Sequence, residues 1–195
     1  MPLTHTNRKG VTYTLYRATN ATGRIRYVFA REPHGEPVET LPAGYVVRES
    51  VNGVVSLARD RPAAFSPDEV AAVQAALRSH PKAGLYRVEA RPDHIAIYER
   101  LGPEADDLVA ILREVGLGYA AAKVRIEHHL EQAASYAPAL RFRLQDRIRR
   151  LFGVERRWYL GGDDEWLLLA ATGPIEDLAH QVVPLLGTEE PFEIW

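Results

Sequence analysis

The densest group of titratable side chains in the sequence is Glu127-His128-His129. A zincin-type metal site needs two histidines four residues apart on a helix, with a glutamate beside the first. Adjacent histidines point about 100° apart on a helix and lie on opposite faces of a strand, so this pair cannot face one metal ion. We interpret these histidines, and the scattered His5, His34, His80, His94 and His180, as solvated or capping side chains.

A second acidic group, Asp163-Asp164-Glu165, offers the carboxylate oxygens that hard divalent cations bind. It follows Gly161-Gly162, and Gly-Gly-Asp-Asp suits a hairpin turn without any metal, so we predict a turn. The sequence has no Gly-x-Ser-x-Gly motif, no Gly-rich phosphate loop and no cysteine. We expect no cofactor, no metal site and no disulfide. A hydrolase or metal-dependent enzyme without a sequence signature stays open, and we favour a non-catalytic role.

Positive charge is concentrated between residues 123 and 157, which hold nine Lys and Arg residues against four Asp and Glu. No Lys or Arg follows Arg157, whereas eight acidic residues do. In a chain of net charge −2, such segregation creates two opposed poles that meet each other or a partner. The planar arginine fork suits carboxylate and phosphate groups. The candidate binding residues are Arg141, Arg143, Arg147, Arg150, Arg157 and Tyr159.

Three interpretations of these arginines stay open: intramolecular pairing, a protein partner, and nucleic acid. We rank pairing first, with Asp163, Asp164, Glu165 and Glu193 as the acids. Arg141, Arg143 and Arg157 are predicted to face outward, and we expect at least two of them to have a carboxylate within about 4 Å. Tyr159 and Trp158 beside a basic face can also bind nucleic acid, but the net charge and the acidic C-terminal segment argue against it.

The first 62 residues are predicted to form a small antiparallel β-meander. Alternation over 11–31 predicts one hairpin, and Asn52-Gly53 predicts a second that pairs 45–50 with 54–59 through a two-residue type I′ turn. Ser66 as N-cap, with Pro67 behind it, predicts a helix that ends at about Ser79.

The remaining pattern predicts alternating helices and hairpins. The predicted elements are a hairpin of 85–90 with 94–99, a helix over 103–115, a helix over 119–135 with a strand at Val124–Ile126 as the alternative, a strand over 140–145 after a break at Pro138, a hairpin of 151–160 with 165–170, a helix over 174–187 and a closing strand over 192–195. We therefore predict an α+β fold with antiparallel β-hairpins and about four helices. A small N-terminal β module, 1–62, docks on a larger α+β domain, 63–195.

Segments at both ends of the chain resemble a module of uncharacterised bacterial proteins. These segments are YTLYR at 13–17, GRIRYVFAR at 23–31, PAGYVVRESVNGVVSLARDRP at 42–62, RLFGVERRWYLGGDDEW at 150–166, VPLLG at 183–187 and PFEIW at 191–195. The resemblance implies a bacterial protein whose two ends belong to one functional unit. It implies no activity, cofactor or catalytic residue.

Apolar runs in the sequence are far shorter than the roughly 18 residues that span a membrane, and the N-terminus has no apolar signal region. We therefore expect a soluble, cytoplasmic protein with no membrane partner; its oligomeric state stays open. The function that we infer is a non-catalytic binding or accessory role, with the Arg-rich strand face and the acidic C-terminal segment as its surfaces. Nucleic-acid binding through 123–157 is the alternative.

Overall fold

The computed structural model of the chain describes residues 1–114, 120–160 and 163–188. In these residues it has eleven strands and four α-helices, so the predicted α+β fold class is confirmed. The elements are β1 (Thr4–Thr6), β2 (Thr12–Thr19), β3 (Ile25–Ala30), β4 (Glu36–Pro37), β5 (Tyr45–Glu49), β6 (Val55–Arg59), α1 (Pro67–Arg78), β7 (Tyr86–Ala90), β8 (His94–Leu101), α2 (Ala105–Glu114), α3 (Ala120–Ala133), β9 (Ser135–Asp146), β10 (Leu151–Leu160), β11 (Asp163–Gly173) and α4 (Ile175–Val182).

The chain divides into two compact units. The first unit consists of 1–61 with 101–135, and the second unit consists of 62–100 with 136–195. The helices α2 and α3 therefore belong to the first unit although they follow strands of the second.

The first unit contains the N-terminal meander. Strand β2 pairs antiparallel with β1, β3 and β4, while β5 and β6 form a separate antiparallel hairpin. Leu15, Phe29 and Val55 are buried together, so residues from both sheets share one core. Alternation places these side chains on the inward faces of their strands, which is how two short sheets become stable together.

Asn7, which is only 5% exposed, joins these two hairpins. Its Oδ1 accepts hydrogen bonds from the backbone N–H groups of Lys9 (3.0 Å) and Val11 (2.8 Å), which shapes the turn between β1 and β2. Its Nδ2 donates to the carbonyl oxygen of Gly53 at 2.6 Å, in the turn between β5 and β6. A buried amide that both accepts and donates in this way fixes both turns relative to each other.

The hairpin at Asn52-Gly53 is confirmed, but the predicted type I′ turn is wrong. Glu49 pairs with Val55, and the Gly53 N–H donates to the Ser50 carbonyl at 2.8 Å. Gly53 has a φ of +74°, and Asn52 is not among the residues with positive φ, which a type I′ turn would require. The geometry is that of a three-residue loop with a glycine bulge, and this shape brings the Gly53 carbonyl to Asn7.

The second unit is a five-stranded sheet in the order β11-β10-β9-β8-β7. Its core contains side chains of α1 and α4 packed with alternate residues of the strands, including Ile97, Phe142 and Phe152. Both helices therefore cover one face of the sheet, and the strand residues that lie between these core positions point to the opposite face. The predicted start of α1 is confirmed: the Ser66 hydroxyl accepts the Glu69 N–H, and the Glu69 carboxylate accepts the Ser66 N–H.

Residues 120–133 are helical, which settles the alternative at Val124–Ile126 in favour of the helix. The predicted break at Pro138 is wrong, because β9 runs through it from Ser135. Pairing of β9 with β10 ends at Leu140, so the missing N–H of Pro138 removes no bond from that ladder.

The C-terminal third departs from prediction in two further respects. Asp163 and Asp164 lie in β11 rather than in a turn, with Asp163 opposite Leu160. The final helix is shorter than predicted, because α4 ends at Val182 and continues as a 3₁₀ turn that contains Pro184. The predicted closing strand at 192–195 lies outside the described residues.

Candidate binding surface on the β9–β11 sheet

The face of the second unit's sheet opposite α1 and α4 carries three of the arginines that the sequence singled out. On β9, Phe142 faces the helices, so Arg141 and Arg143 project from the opposite face. On β10, Phe152 and Val154 face the helices, so Glu155 and Arg157 share the arginine face. The prediction that Arg141 and Arg143 share a strand face is confirmed.

Arg141 is held from two sides. Its Nε donates to the Glu155 carboxylate directly across the ladder, and its guanidinium carbon lies 4.0 Å from the centre of the Trp166 ring on β11. The Arg141 and Glu155 side chains are only 20% and 17% exposed. A planar cation stacked on an aromatic ring and bonded to a carboxylate has little remaining freedom.

Arg143 shares the same carboxylate but remains open to solvent. Its Nη1 lies 4.0 Å from Glu155 Oε1, and its side chain is 46% exposed. Arg157 lies on the same face, opposite Trp166. Arg141 and Arg143 thus share one glutamate, and Arg157 lies two positions after it on the same face; we call Arg141, Arg143, Glu155, Arg157 and Trp166 the arginine platform.

The neighbouring Arg156 does not belong to the platform. It points to the helix side, where its Nη2 donates to the Thr188 carbonyl at 3.1 Å. Burial lowers the pKa of the Arg156 guanidinium from its usual value, and the nearby Glu99 and Tyr86 act in the opposite direction. This arginine therefore joins β10 to the segment after α4.

The expected ion pairing is confirmed for Arg141 and Arg143, and the carboxylate that both contact is that of Glu155. The side chains of Asp163 and Asp164 lie outside the described part, so their pairing stays a prediction; the β10–β11 register places Asp164 opposite Tyr159 and Glu165 opposite Trp158. The turn between β9 and β10 sets the register that brings Glu155 to Arg141, and the length of that turn was the missing signal. Glu193 lies outside the described residues.

The remaining candidates, Arg147 and Arg150, lie in that turn, which we call the 146–150 loop. Asp146 Oδ1 accepts the N–H groups of Ile148 (2.8 Å) and Arg149 (2.9 Å), so the loop is closed by its own first residue. Arg147 and Arg149 are exposed, and Ile148 is 94% exposed.

Arg150 is an anchor rather than an exposed binding residue. It has a φ of 53°, a left-handed conformation that costs roughly 1–2 kcal/mol in a side chain with a Cβ. Its Nε donates to Glu69 Oε1 at 2.7 Å, and its Nη2 donates to Glu69 Oε2 and to the Ala64 carbonyl. This fork on the first turn of α1 offsets the strain and fixes the orientation of the loop.

Glu69 connects the loop to the helix cap. Burial raises the pKa of its carboxyl, but hydrogen bonds from Arg150 and Ser66 outweigh burial and leave the pKa below its usual value of 4.5. The pKa of the Arg150 guanidinium is raised by the same hydrogen bond. The pair is therefore charged at neutral pH.

Tyr159 lies in β10 opposite Asp164, and its side chain is outside the described part.

His128 contacts Gln132 on α3 at 3.0 Å, and His5 lies 3.3 Å from the Glu49 carboxylate. Among the described residues, no group of three or more His, Asp or Glu side chains is arranged to hold a metal ion. Sequence reasoning missed Glu155 as a partner and passed over Trp166, Glu69 and Ile148.

Every helix in the described residues is too short or too polar to cross a membrane. Comparison of the chain with protein-family models, with curated proteins and with solved structures finds no match.

Proposed function

We propose that this protein is a non-catalytic binding or accessory protein that holds a carboxylate-bearing segment of a partner protein on its arginine platform. The observation that carries the proposal is the contrast between Arg141 and Arg143. Arg141 is fixed by Trp166 and Glu155, whereas Arg143 contacts the same glutamate at 4.0 Å and stays 46% exposed. Arg143 can therefore present its fork to a carboxylate from outside while the rest of the platform stays in place.

The geometry favours a protein over nucleic acid, which is the alternative function of the basic segment. Arg141 covers one face of the Trp166 ring, which leaves at most the other face for stacking with a base. The segment from 123 to 157 is also divided, since α3 belongs to the first unit and β9 and β10 to the second. With a net charge of −2, the chain lacks the large basic excess on which sequence-independent binding to phosphates depends.

The acidic C-terminal segment provides the second surface of the proposal. Glu165 on β11 and Glu176 and Asp177 on α4 are exposed, so they are accessible to basic groups of a partner. A cytoplasmic location, suggested by the absence of cysteine, belongs to the same proposal.

Fluorescence anisotropy with a labelled oligoglutamate peptide and a labelled DNA duplex tests the proposal. We expect Arg143→Gln to weaken oligoglutamate binding about tenfold, or 1.4 kcal/mol, because one charge-assisted contact is lost. The matched control is Arg26→Gln, which removes the same charge from an exposed position on β3 and should leave binding unchanged.

Two results would contradict the proposal. An equal loss of oligoglutamate affinity in Arg143→Gln and Arg26→Gln would mean that binding depends only on the net charge of the chain. Duplex binding tighter than about micromolar at physiological salt, with a steep salt dependence, would establish the nucleic-acid alternative.

A further inference from the structure

Ile148 is an apolar knob at the apex of a fixed loop. It is 94% exposed and flanked by the exposed Arg147 and Arg149. Asp146 closes the loop from one side, and the fork of Arg150 on Glu69 holds it from the other. An isolated exposed apolar side chain is ordinary on a protein surface. Here, however, a rigid and strained loop exposes the apolar side chain between two cations, and this arrangement suits a contact with another molecule.

The same unit contains a cavity of about 240 Å³ between the ends of α1 and α4. Ala76 and Val183 line it together with His80, Pro81, His180 and Pro184, so its lining is largely apolar. His80 forms a fixed wall: its Nδ1 accepts the Lys82 N–H, which leaves Nε2 to donate to the Leu186 carbonyl at 3.2 Å. The volume is ample for the four-carbon side chain of one isoleucine.

Acidic side chains lie next to this cavity. Glu176 and Asp177 are exposed, and they precede the lining residue His180 by four and three residues on α4. Residues at these spacings are neighbours on one helix surface. The α4 side of the cavity is therefore acidic, opposite in sign to Arg147 and Arg149, which flank the knob, whereas the basic Arg78 adjoins Ser79 on the α1 side.

The knob cannot occupy the cavity of its own chain. Arg150 anchors the loop at Glu69, in the first turn of α1, whereas the cavity includes Ala76 and Ser79 at the end of that helix. Ten residues of helix, at about 1.5 Å rise per residue, separate the two by roughly 15 Å. Knob and cavity therefore lie at opposite ends of one helix.

We propose that a second copy of this chain is the occupant of the cavity. Ile148 of one copy enters the α1–α4 cavity of the next, and Arg147 and Arg149 face Glu176 and Asp177 there. The contact joins two different surfaces, so it assembles copies head to tail rather than as a two-fold dimer. It goes beyond the proposed function and uses none of the platform side chains.

Sedimentation velocity over rising protein concentration tests this proposal. The interface is small, so we expect weak association, with a dissociation constant of about 0.1–1 mM. Ile148→Ser should remove the concentration dependence, and so should Ser79→Trp, which fills the cavity from an exposed position. His180→Trp is a second cavity-filling variant if Ser79→Trp perturbs α1.

Mixing the two defective variants is the sharpest measurement. The Ile148→Ser variant retains its cavity, and the Ser79→Trp variant retains Ile148. The mixture should therefore form heterodimers and nothing larger. Val54→Ser, at another exposed apolar residue, and Arg143→Gln should both associate like the unmodified chain. Thermal unfolding midpoints confirm that each variant is folded.

The proposal is overturned if the unmodified chain stays monomeric at millimolar concentration, if Ile148→Ser associates normally, or if the mixed variants remain monomers. A chain that is monomeric but binds phosphatidylserine vesicles through Ile148 would also overturn it, and would assign the knob to a lipid surface instead.

Discussion

Two turns in this protein are built with the same local chemistry and serve opposite purposes. In the first unit, Asn7 Oδ1 accepts two backbone N–H groups and closes the turn between β1 and β2. In the second unit, Asp146 Oδ1 accepts two backbone N–H groups and closes the 146–150 loop. Asn7 is buried and donates onward to Gly53, whereas the apex of the second loop projects Ile148 into solvent.

The difference shows how a side chain's surroundings decide what a turn is for. The amide of Asn7 can donate as well as accept, so it can join two hairpins inside a core. The carboxylate of Asp146 can only accept, and its Oδ1 accepts the N–H groups of Ile148 and Arg149 within its own loop. Stability should therefore depend strongly on the first turn and weakly on the second, and surface contacts should depend on the second.

The largest expected effect is that of Asn7→Ala. It removes three hydrogen bonds and leaves the buried Gly53 carbonyl without its donor, so we expect a loss of about 3 kcal/mol in urea denaturation. Asp146→Ala, which exposes its freed N–H groups to water, should lose about 1 kcal/mol. Equal losses in the two variants would break the contrast between the turns.

Gly53→Ala separates backbone strain from the contact with Asn7. Gly53 has a φ of +74°, and an added Cβ would lie 3.0 Å from Asn7 Nδ2. Gly23→Ala is the matched control, because Gly23 has a φ of +77° and nothing within 4 Å of an added Cβ. We expect losses of about 2 and about 1 kcal/mol respectively by thermal or urea unfolding. A smaller loss at Gly53 than at Gly23 would contradict the Asn7 contact.

Glu69→Gln tests the anchor of the 146–150 loop. We expect a loss of about 1–2 kcal/mol at neutral pH, since the ion pair with Arg150 disappears, whereas a glutamine side-chain oxygen can still accept the Ser66 N–H of the capping box. The folded-state pKa of Glu69 is lowered, so its contribution is present above pH 4.5 and is lost as the pH falls through the folded-state pKa.

The difference between Glu69→Gln and the unmodified chain should therefore shrink below pH 4.5. Asp68→Asn, an exposed change in the same helical turn, is the control and should lose less than about 0.5 kcal/mol. A pH-independent difference for Glu69→Gln would exclude the ion pair as its cause.

The smallest expected effect on stability is that of Ile148→Ser. Because Ile148 is 94% exposed, its replacement should change the unfolding free energy by no more than about 0.5 kcal/mol. A large loss in calorimetry would show that Ile148 packs against its own chain, which would return this loop to a purely structural role.

Local signals predicted much of the fold. Ser66 with Pro67 predicted the start of α1, and the alternation of Arg141 and Arg143 with Phe142 predicted both faces of β9. The features that were predicted wrongly depend on contacts between residues far apart in the sequence. The turn at Asn52-Gly53 differs from the predicted type because Gly53 accepts a hydrogen bond from the buried Asn7, 46 positions earlier in the sequence.

The part of the candidate site that depends on neighbouring residues could be predicted, and the part that depends on distant contacts could not. Arginines on one strand face follow from a period of two. Their partner depends on the register between β9 and β10, which the 146–150 loop fixes, so Glu155 was not identified. The role of Arg150 depends on Glu69, 81 positions away, and its positive φ has no counterpart in residue type.

NMR spectra of the arginine Nε–H groups during titration with oligoglutamate test the central claim most directly, because they distinguish binding arginines from structural ones. We predict that the Arg143 signal moves with added peptide, whereas Arg150, held by Glu69, and the control Arg26 on β3 stay unchanged. Equal movement of Arg143 and Arg26, or movement of Arg150 alone, would contradict the assignment of the arginine platform as the binding surface.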